Sequence, residues 1–274
     1  MIAGETILGR VVVTFAERIA EVRLDRPDKL NALDPPMFSA LVEAGERLKR
    51  LPSLRAVVLY GAGRGFSAGL DMGSFAAVAA GKSDGLIADL PARTHGVANL
   101  AQAAAFVWRE VPVPVVAAVH GVAFGGGFQI ALGADIRYVA ADAKLSILEI
   151  KWGLVPDMGG IALMRELARG DVIRELAFTG RQFSGEEAVR YGFATAVHAD
   201  PLEAARATAR EIADKSPDAV RALKRLLNAS ADLDVAAILL AESREQAKII
   251  GASNQVEAVR AGMERRPPRF SDPV

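Results

Sequence analysis

Apolar residues in the first half of the chain recur with two periods, one typical of strands and one typical of helices. Residues 11–15 and 19–24 are rich in apolar and β-branched side chains, and the polar pair Glu17-Arg18 between them predicts a hairpin. Pro35-Pro36 then opens a predicted helix, along which apolar side chains recur at helical spacing up to Leu48. Further strands are predicted over 54–59 and 113–119, and further helices over 75–80 and 91–110. This alternation of strands and helices predicts an α/β core.

The second half changes character after Asp157. Residues 134–140 and 144–148 are predicted to form two more strands, whereas most of the chain beyond Asp157 has a helical pattern. We place a boundary at Asp200-Pro201, between a core over 1–200 and a helical region over 201–274. Too few core elements remain to cover the apolar stripes of the last helices, so we expect these stripes to form subunit contacts. The clearest stripe contains Val235, Ile238, Leu239 and Ala241.

Two glycine-bearing segments follow the strands predicted over 54–59 and 113–119. They cover residues 65–72 and 121–129, and the second contains Gly125-Gly126-Gly127, which we predict to open a helix. Strand ends that pass into glycine can direct two backbone N–H groups at one point, which is how an oxyanion hole is built from the main chain. The sequence therefore predicts such a hole if the two segments converge.

The charge balance and the cysteine count narrow the class of function. The 274 residues include 33 Lys and Arg against 33 Asp and Glu, so no global field favours nucleic acid. The absence of cysteine removes disulfides and thiolate chemistry and suits a reducing compartment. His95, His120 and His198 have no metal-like spacing, so no metal site is predicted. We recognise no signal peptide and no membrane span, and expect a cytoplasmic protein.

Several short motifs, in a fixed order, resemble the enoyl-CoA hydratase/isomerase (crotonase) superfamily. They are residues 23–27, 31–33, 66–72, 115–129, 134–136, 149 with 153–156, 159–160 and 264–270, so the resemblance covers nearly the whole chain. It implies a ββα-superhelix core with a C-terminal helical trimerisation region, which makes 1–200 the acyl-CoA-binding core. It also implies an acyl-CoA thioester substrate, no cofactor beyond the coenzyme A of that substrate, and a homotrimer or a dimer of trimers.

The resemblance also assigns residues to the reaction. The two oxyanion-hole N–H groups would belong to Leu70 and Gly126, where the lack of a Cβ lets the thioester approach closely. Of the two acid/base positions of the hydratases, the second falls on Glu149, which lies among apolar residues that should raise its pKa. The first, where typical hydratases have glutamate, falls on Gln129, an amide that can orient water or substrate but cannot transfer a proton at neutral pH.

Asp157 has two interpretations. It lies eight residues after Glu149, where dienoyl-CoA isomerases of the family have an aspartate that takes part in proton transfer. An aspartate after Pro156 and before a helix predicted over 161–167 is equally a natural N-cap. Both interpretations stay open at this point.

For the coenzyme A, the resemblance implies contacts from the backbone around Ala68, Leu70 and Asp71. Lys29 and Arg64 are candidate contacts for the phosphates. Four apolar residues could line a pocket for the acyl tail or could equally be helix core: Phe75, Leu86, Leu90 and Leu100.

The leading hypothesis is an enoyl-CoA hydratase of fatty-acid and acyl-CoA metabolism, with Glu149 as general acid/base. The alternative is isomerisation of an enoyl-CoA or dienoyl-CoA double bond by Glu149 and Asp157. Residues 65–69 also match G-x-S-x-G, which would make Ser67 the nucleophile of a thioesterase or serine hydrolase. Finally, Gln129 leaves open an acyl-CoA-binding paralogue without catalysis.

Overall fold

The computed structural model describes residues 2–73 and 89–273 of the chain. Its strands are β1 (Ile2–Ile7), β2 (Val11–Ala16), β3 (Ile19–Leu24), β4 (Ala56–Gly61), β5 (Val115–Val119), β6 (Val122–Phe124), β7 (Ile136–Val139), β8 (Lys144–Ser146), β9 (Phe183–Ser184) and β10 (Ala196–Val197). Its helices are α1 (Pro35–Lys49), α2 (Leu100–Glu110), α3 (Gly126–Leu132), α4 (Gly160–Met164), α5 (Gly170–Thr179), α6 (Gly185–Tyr191), α7 (Pro201–Ala213), α8 (Pro217–Ser230), α9 (Val235–Ile249) and α10 (Ser253–Glu264). The helix predicted over 75–80 lies outside the described residues.

One seven-stranded sheet, in the order β1-β2-β3-β4-β5-β7-β10, forms the centre of the fold. The hairpin predicted at Glu17-Arg18 is confirmed, because β2 and β3 pair antiparallel from Val11↔Leu24 to Ala16↔Ile19. From β3 to β10 the neighbouring strands are parallel, so β4 and β5 end at the same edge. Strands β6, β8 and β9 form a second, three-stranded sheet next to that edge.

Both faces of the sheet are buried at its central parallel strands, β4 and β5. Alternate residues of β4 face opposite sides. Val57 and Leu59 belong to the main core, whereas Ala56 and Val58 belong to a second cluster with Ala205 and Ala209 of α7. Small alanines on both elements let helix α7 lie close against the sheet.

The boundary predicted at Asp200-Pro201 coincides with the start of α7. Asp200 caps this helix by accepting hydrogen bonds from the N–H groups of Leu202 and Glu203. Because α7 covers one face of the central sheet, however, the first helix of the predicted C-terminal region is part of the core. The helices after α7 have large exposed apolar side chains such as Val235 and Met263.

Two predicted element bounds are wrong near the edge where β4 and β5 end. The helix predicted from residue 91 begins only at Leu100, because Asn99 and Gln102 form a capping box at that point. Strand β8 ends at Ser146, so Glu149 lies in a short 3₁₀ helix, Glu149–Trp152, and not near the end of a strand. The predicted start of a helix at the glycine run is confirmed, with Gly125 as the N-cap of α3.

No helix within residues 2–73 and 89–273 is both long enough and apolar enough to cross a bilayer.

A buried lysine joins the C-terminal helices to the core. Lys224 of α8 is 5% exposed, and its Nζ donates hydrogen bonds to the carbonyls of Trp108 and Val113 at 2.9 Å. It also forms an ion pair with Asp135 at 2.7 Å. Burial lowers the pKa of Lys224, and the carboxylate of Asp135 opposes this shift.

We expect Lys224→Met to lower the free energy of unfolding by about 3 kcal/mol, because it leaves a carboxylate and two carbonyls without their donor. Denaturant unfolding measures this change. Lys215→Met is the matched control, since Lys215 is exposed and only weakly paired with Glu211, and it should change stability by less than about 0.5 kcal/mol. Equal stabilities of the two variants would contradict the anchoring role.

Candidate active site

The two glycine-bearing segments converge at the carboxyl ends of β4 and β5. The main chain joins them directly, because Ser67 N–H donates to the carbonyl of Val122 and Phe124 N–H donates to that of Ser67, each at 3.0 Å. A Cβ atom built at Gly69 would lie 3.6 Å from the nitrogen of Gly126. The convergence on which the predicted oxyanion hole depends is therefore present.

Leu70 and Gly126 both have a free N–H group as far as the described residues go. Leu33 N–H donates to Gly69 and Asp71 N–H donates to Leu33, so Leu70 N–H faces the opposite side from this pairing. Gly126 is the first residue of α3, where helical N–H groups have no partner inside the helix. The positive end of the helix dipole adds to the attraction for an oxyanion.

Glycine is required next to this pair of N–H groups. Gly69 has a φ of 83°, and a Cβ there would lie 2.5 Å from the carbonyl oxygen of Phe124. Gly125 has a φ of 49°, and a Cβ there would lie 3.2 Å from Oε1 of Glu149. These two positions allow the main chain of the candidate oxyanion hole and the carboxylate of Glu149 to be close neighbours.

Glu149 is buried against the start of α3, with 9% of the residue exposed. Its Oε1 accepts a hydrogen bond from Nε2 of Gln129 at 2.6 Å. Its Oε2 is buried and has no hydrogen-bond partner among the described residues. One oxygen is therefore fixed by the protein, and the other is left for a substrate or a water molecule.

The amide of Gln129 has only one satisfactory orientation. Its Oε1 accepts from the N–H groups of Met158 and Gly160, both at 2.9 Å. Reversing the amide would point its NH₂ group at these two donors, so Nε2 has to face Glu149. Gln129 thus connects the glutamate to the loop that leads into α4.

The two carboxyl groups of the site are shifted towards their neutral forms. Desolvation raises the pKa of Glu149, and the negative charge of Asp157 raises it further, while the hydrogen bond from Gln129 opposes the shift. Desolvation also raises the pKa of Asp157, although this residue keeps contact with solvent. A raised pKa brings a carboxyl group closer to the range in which it can exchange protons at neutral pH.

The N-cap interpretation of Asp157 is wrong. Helix α4 starts at Gly160, its N-cap is Gly159 with a left-handed φ of 83°, and no side chain caps it. The helix is also shorter than the predicted range of 161–167, ending at Met164. Asp157 is therefore free of a capping role.

Ser67 lacks the surroundings of a nucleophile. It is completely buried; its Oγ donates to the carbonyl of Asn31 at 2.9 Å and accepts from Gly69 N–H at 3.2 Å. No histidine or carboxylate of the described residues is hydrogen-bonded to it. The geometry argues against the hydrolase hypothesis, and Ser67 instead supports the loop that precedes Leu70.

The residues predicted to bind coenzyme A differ in their availability. Lys29 and Arg64 are exposed, and neither forms an ion pair with another described residue. The N–H of Ala68 is used by the carbonyl of Leu30. The carboxylate of Asp71 accepts hydrogen bonds from Arg26 and from Gly73 N–H, and its own N–H donates to the carbonyl of Leu33. The contact expected from the backbone around Asp71 stays a prediction.

The predicted acyl-tail residues are only partly testable. Phe75 and Leu86 lie outside the described residues. Leu100 packs against the main hydrophobic core, which favours the helix-core alternative for that residue. Leu90 is half-buried, and its carbonyl accepts a hydrogen bond from Asn99.

Asn31 was given no individual role on the basis of the sequence. It is completely buried: Nδ2 donates to the carbonyls of Ala62 and Gly65, and Oδ1 accepts from Arg26 N–H. It thereby holds the loop after β4 in place. An asparagine between Leu30 and Ala32 is the only signal in the sequence, and it does not reveal these backbone partners.

Comparison with known proteins identifies the family. The chain matches the model of the enoyl-CoA hydratase/isomerase family over residues 14–273. Carnitinyl-CoA dehydratase from Salmonella typhi is 36% identical over 220 residues, which are 79% of each protein. An enoyl-CoA hydratase from Mycobacterium tuberculosis H37Rv has a similar structure, with a TM-score of 0.82, 28% identity, and coverage of 96% of this chain and 98% of that one. An enoyl-CoA hydratase from Polaromonas sp. JS666 also has a similar structure, with a TM-score of 0.86, 25% identity, and coverage of 96% of this chain and 100% of that one.

The chain therefore belongs to the enoyl-CoA hydratase/isomerase family and is an enzyme of that class. The crotonase-like fold predicted from the motifs is confirmed. Within residues 2–73 and 89–273, no three histidine or acidic side chains are grouped so that they could hold a metal ion.

The pH dependence of turnover tests the contact between Gln129 and Glu149. For hydration Glu149 must be ionised, so activity falls as the pH drops through its pKa, which lies above the ordinary 4.5. The hydrogen bond from Gln129 favours the ionised form. We expect Gln129→Met to move the acidic limb of the kcat/KM profile to higher pH. Gln182→Met, at an exposed position, is the control; an acidic limb that stays in place in Gln129→Met would disprove the coupling.

Proposed function

We propose that this protein is an enoyl-CoA hydratase-type enzyme in which Glu149 is the general acid/base. The observation that carries the proposal is that only one oxygen of the Glu149 carboxylate has a hydrogen-bond partner. Oε1 is held by Gln129, whereas Oε2 is buried and is free for proton transfer. The free N–H groups of Leu70 and Gly126 next to it support the same function. The relation to carnitinyl-CoA dehydratase adds weight, because that protein's name describes the loss of water from an acyl-CoA.

The geometry favours addition of water across the double bond of the thioester. The thioester oxygen accepts hydrogen bonds from Leu70 N–H and Gly126 N–H, which stabilise the enolate formed when oxygen adds at C3. Ionised Glu149 takes a proton from the attacking water, and the same carboxyl group then gives a proton to C2. Hydroxyl and hydrogen are thus added to the two carbons, and the reverse sequence is dehydration. Gln129 orients Glu149 and transfers no proton.

A second candidate, double-bond isomerisation, is favoured by Asp157. The negative charge of Asp157 contributes to the raised pKa of Glu149, behind the larger effect of burial, and Asp157 is free of a capping role. Glu149 would remove a proton from C2, and Asp157 would return one at the far end of the dienolate. The product has the same atoms as the substrate, with the double bond moved.

The oligomeric state, the need for a cofactor and the cellular location are further proposals. We propose a homotrimer or a dimer of trimers built through the helices after α7, where Leu227, Val235 and Met263 are 69%, 72% and 81% exposed. We propose that no cofactor is needed beyond the coenzyme A of the substrate, because Glu149 and the oxyanion hole account for the chemistry. The cysteine-free composition suits the cytoplasm.

Hydration of 2-enoyl-CoA substrates of several chain lengths, followed by loss of the conjugated-thioester absorbance, tests the main proposal. We expect Glu149→Gln to lower kcat by at least about a hundredfold, because a general acid/base typically contributes that much. Glu203→Gln is the matched control, since Glu203 is exposed on α7. Near-normal turnover in Glu149→Gln would defeat the proposal, and tight binding without turnover in the unaltered protein would favour a non-catalytic paralogue.

Asp157→Asn separates the two candidate reactions. If the protein is a hydratase, the variant should retain most of its hydration activity, because Glu149 alone moves both protons. If it is an isomerase, conversion of a 3-enoyl-CoA or a dienoyl-CoA should fall by about a hundredfold or more. Both assays are run on the unaltered protein and on the variant. An unaltered protein that isomerises but does not hydrate, and that loses isomerisation in Asp157→Asn, overturns the hydratase assignment.

A further inference from the structure

An oxyanion hole is effective only if its donors are already in place when charge develops. Gly126 has a helix to hold it, whereas Leu70 belongs to no helix or strand and only bridges to Leu33. Something else has to fix the chain on the far side of Leu70. The next residue, Asp71, is where the structure provides this support.

Asp71 binds both to the chain that follows it and to a distant arginine. Its Oδ1 accepts from Gly73 N–H at 2.7 Å, and its Oδ2 accepts from Nη1 of Arg26, also at 2.7 Å. Both side chains of this ion pair are only 18% exposed. Burial of the Asp71 carboxyl group favours its neutral form, but the hydrogen bonds from Gly73 and Arg26 outweigh this effect and keep its pKa below the usual range. The pair is thus ionised at neutral pH.

Arg26 also contacts the residues on either side of Leu33, which forms a bridge with Leu70. Its Nη1 also donates to the carbonyl of Ala32 at 3.2 Å and lies 3.5 Å from Oδ2 of Asp34. Ala32 and Asp34 flank Leu33, the residue that bridges to Leu70. The guanidinium group of Arg26 therefore connects the segment around Leu33 to the segment around Asp71. These two segments together orient Leu70 N–H.

Arg26 is itself held by a strained turn. Its own N–H donates to Oδ1 of buried Asn31, and Leu30 and Asn31 both have left-handed backbones with φ of 50° and 53°. Such conformations are unfavourable for residues other than glycine and persist where the surroundings over-determine them. They bring Leu30 to where its carbonyl accepts from Ala68 N–H.

We propose that Arg26 is a positioning residue for catalysis, which acts through Asp71 to hold Leu70 N–H in the oxyanion hole. The proposal rests on the proposed function, because it assumes that a thioester oxygen occupies that hole. Arg26 touches no reacting atom, so its effect should appear in the rate of the chemical step and leave substrate affinity nearly unchanged.

Kinetics provide the first test. We expect Arg26→Gln and Asp71→Asn each to lower kcat by about tenfold or more with KM little changed, because small misplacements of a catalytic donor are expensive in rate. The double variant should be no worse than either single variant, since both remove the same ion pair. Arg26→Lys keeps the charge and should recover part of the loss.

Arg10 supplies a matched control from the same network. It binds Asp34 through two nitrogens at 2.7–3.0 Å, and Asp34 caps α1, but Arg10 makes no hydrogen bond to Asp71. Arg10→Gln should therefore lower thermal stability while kcat stays near that of the unaltered protein. If Arg10→Gln lowers kcat as much as Arg26→Gln does, the arginines act only on stability and the proposal is overturned.

A spectroscopic test does not need turnover. Butyryl-CoA labelled with ¹³C at the thioester carbonyl is saturated, so it can bind without reacting, and a working oxyanion hole shifts its carbonyl resonance downfield. We expect this shift in the unaltered protein and in Arg10→Gln, and a smaller shift in Arg26→Gln and Asp71→Asn. An undiminished shift in the last two variants would overturn the positioning role alone. No shift in the unaltered protein would overturn the proposed function itself.

Discussion

Two main-chain hydrogen bonds, from Ser67 N–H to Val122 and from Phe124 N–H to Ser67, hold the site together. They tie the segment after β4 to the segment after β5, and so fix Leu70 relative to Gly126. These bonds are possible because β4 and β5 are adjacent and parallel, with Tyr60 beside Ala118. The central sheet therefore matters to function chiefly because it delivers two chain segments to one edge in register.

The burial and the pKa of the Glu149 carboxyl group are determined by the residues around it. Glu149 is buried close to the start of α3, which is possible because Gly125 has no Cβ. Burial raises its pKa, while Gln129 moderates the shift and occupies one of its two oxygens. One oxygen of the carboxylate is therefore held by the protein, and the other has no hydrogen-bond partner among the described residues.

Much of this could be predicted from the sequence, and the failures have physical causes. The glycine runs predicted that the two segments can converge, because backbone donors that meet at one point need neighbours without side chains. By contrast, the partners of Gln129 are the main-chain N–H groups of Met158 and Gly160, which no residue letter encodes. The sequence left a capping role open for Asp157, but the N-cap of α4 is Gly159, which has a left-handed backbone conformation. The sequence assigned no role to the carboxylate of Asp71, and its pairing with Arg26 depends on how the fold brings the two residues together.

The fixed amide of Gln129 has a genetic consequence. Glutamine and glutamate codons differ at a single base, so one mutation could place a second carboxylate here without moving the main chain. The two backbone N–H donors would still hold one of its oxygens, and the other would face Oε1 of Glu149 across 2.6 Å. Two such oxygens cannot both stay ionised, so they would share a proton. A single nucleotide change would thus turn this site into a pair of carboxyl groups that share one proton.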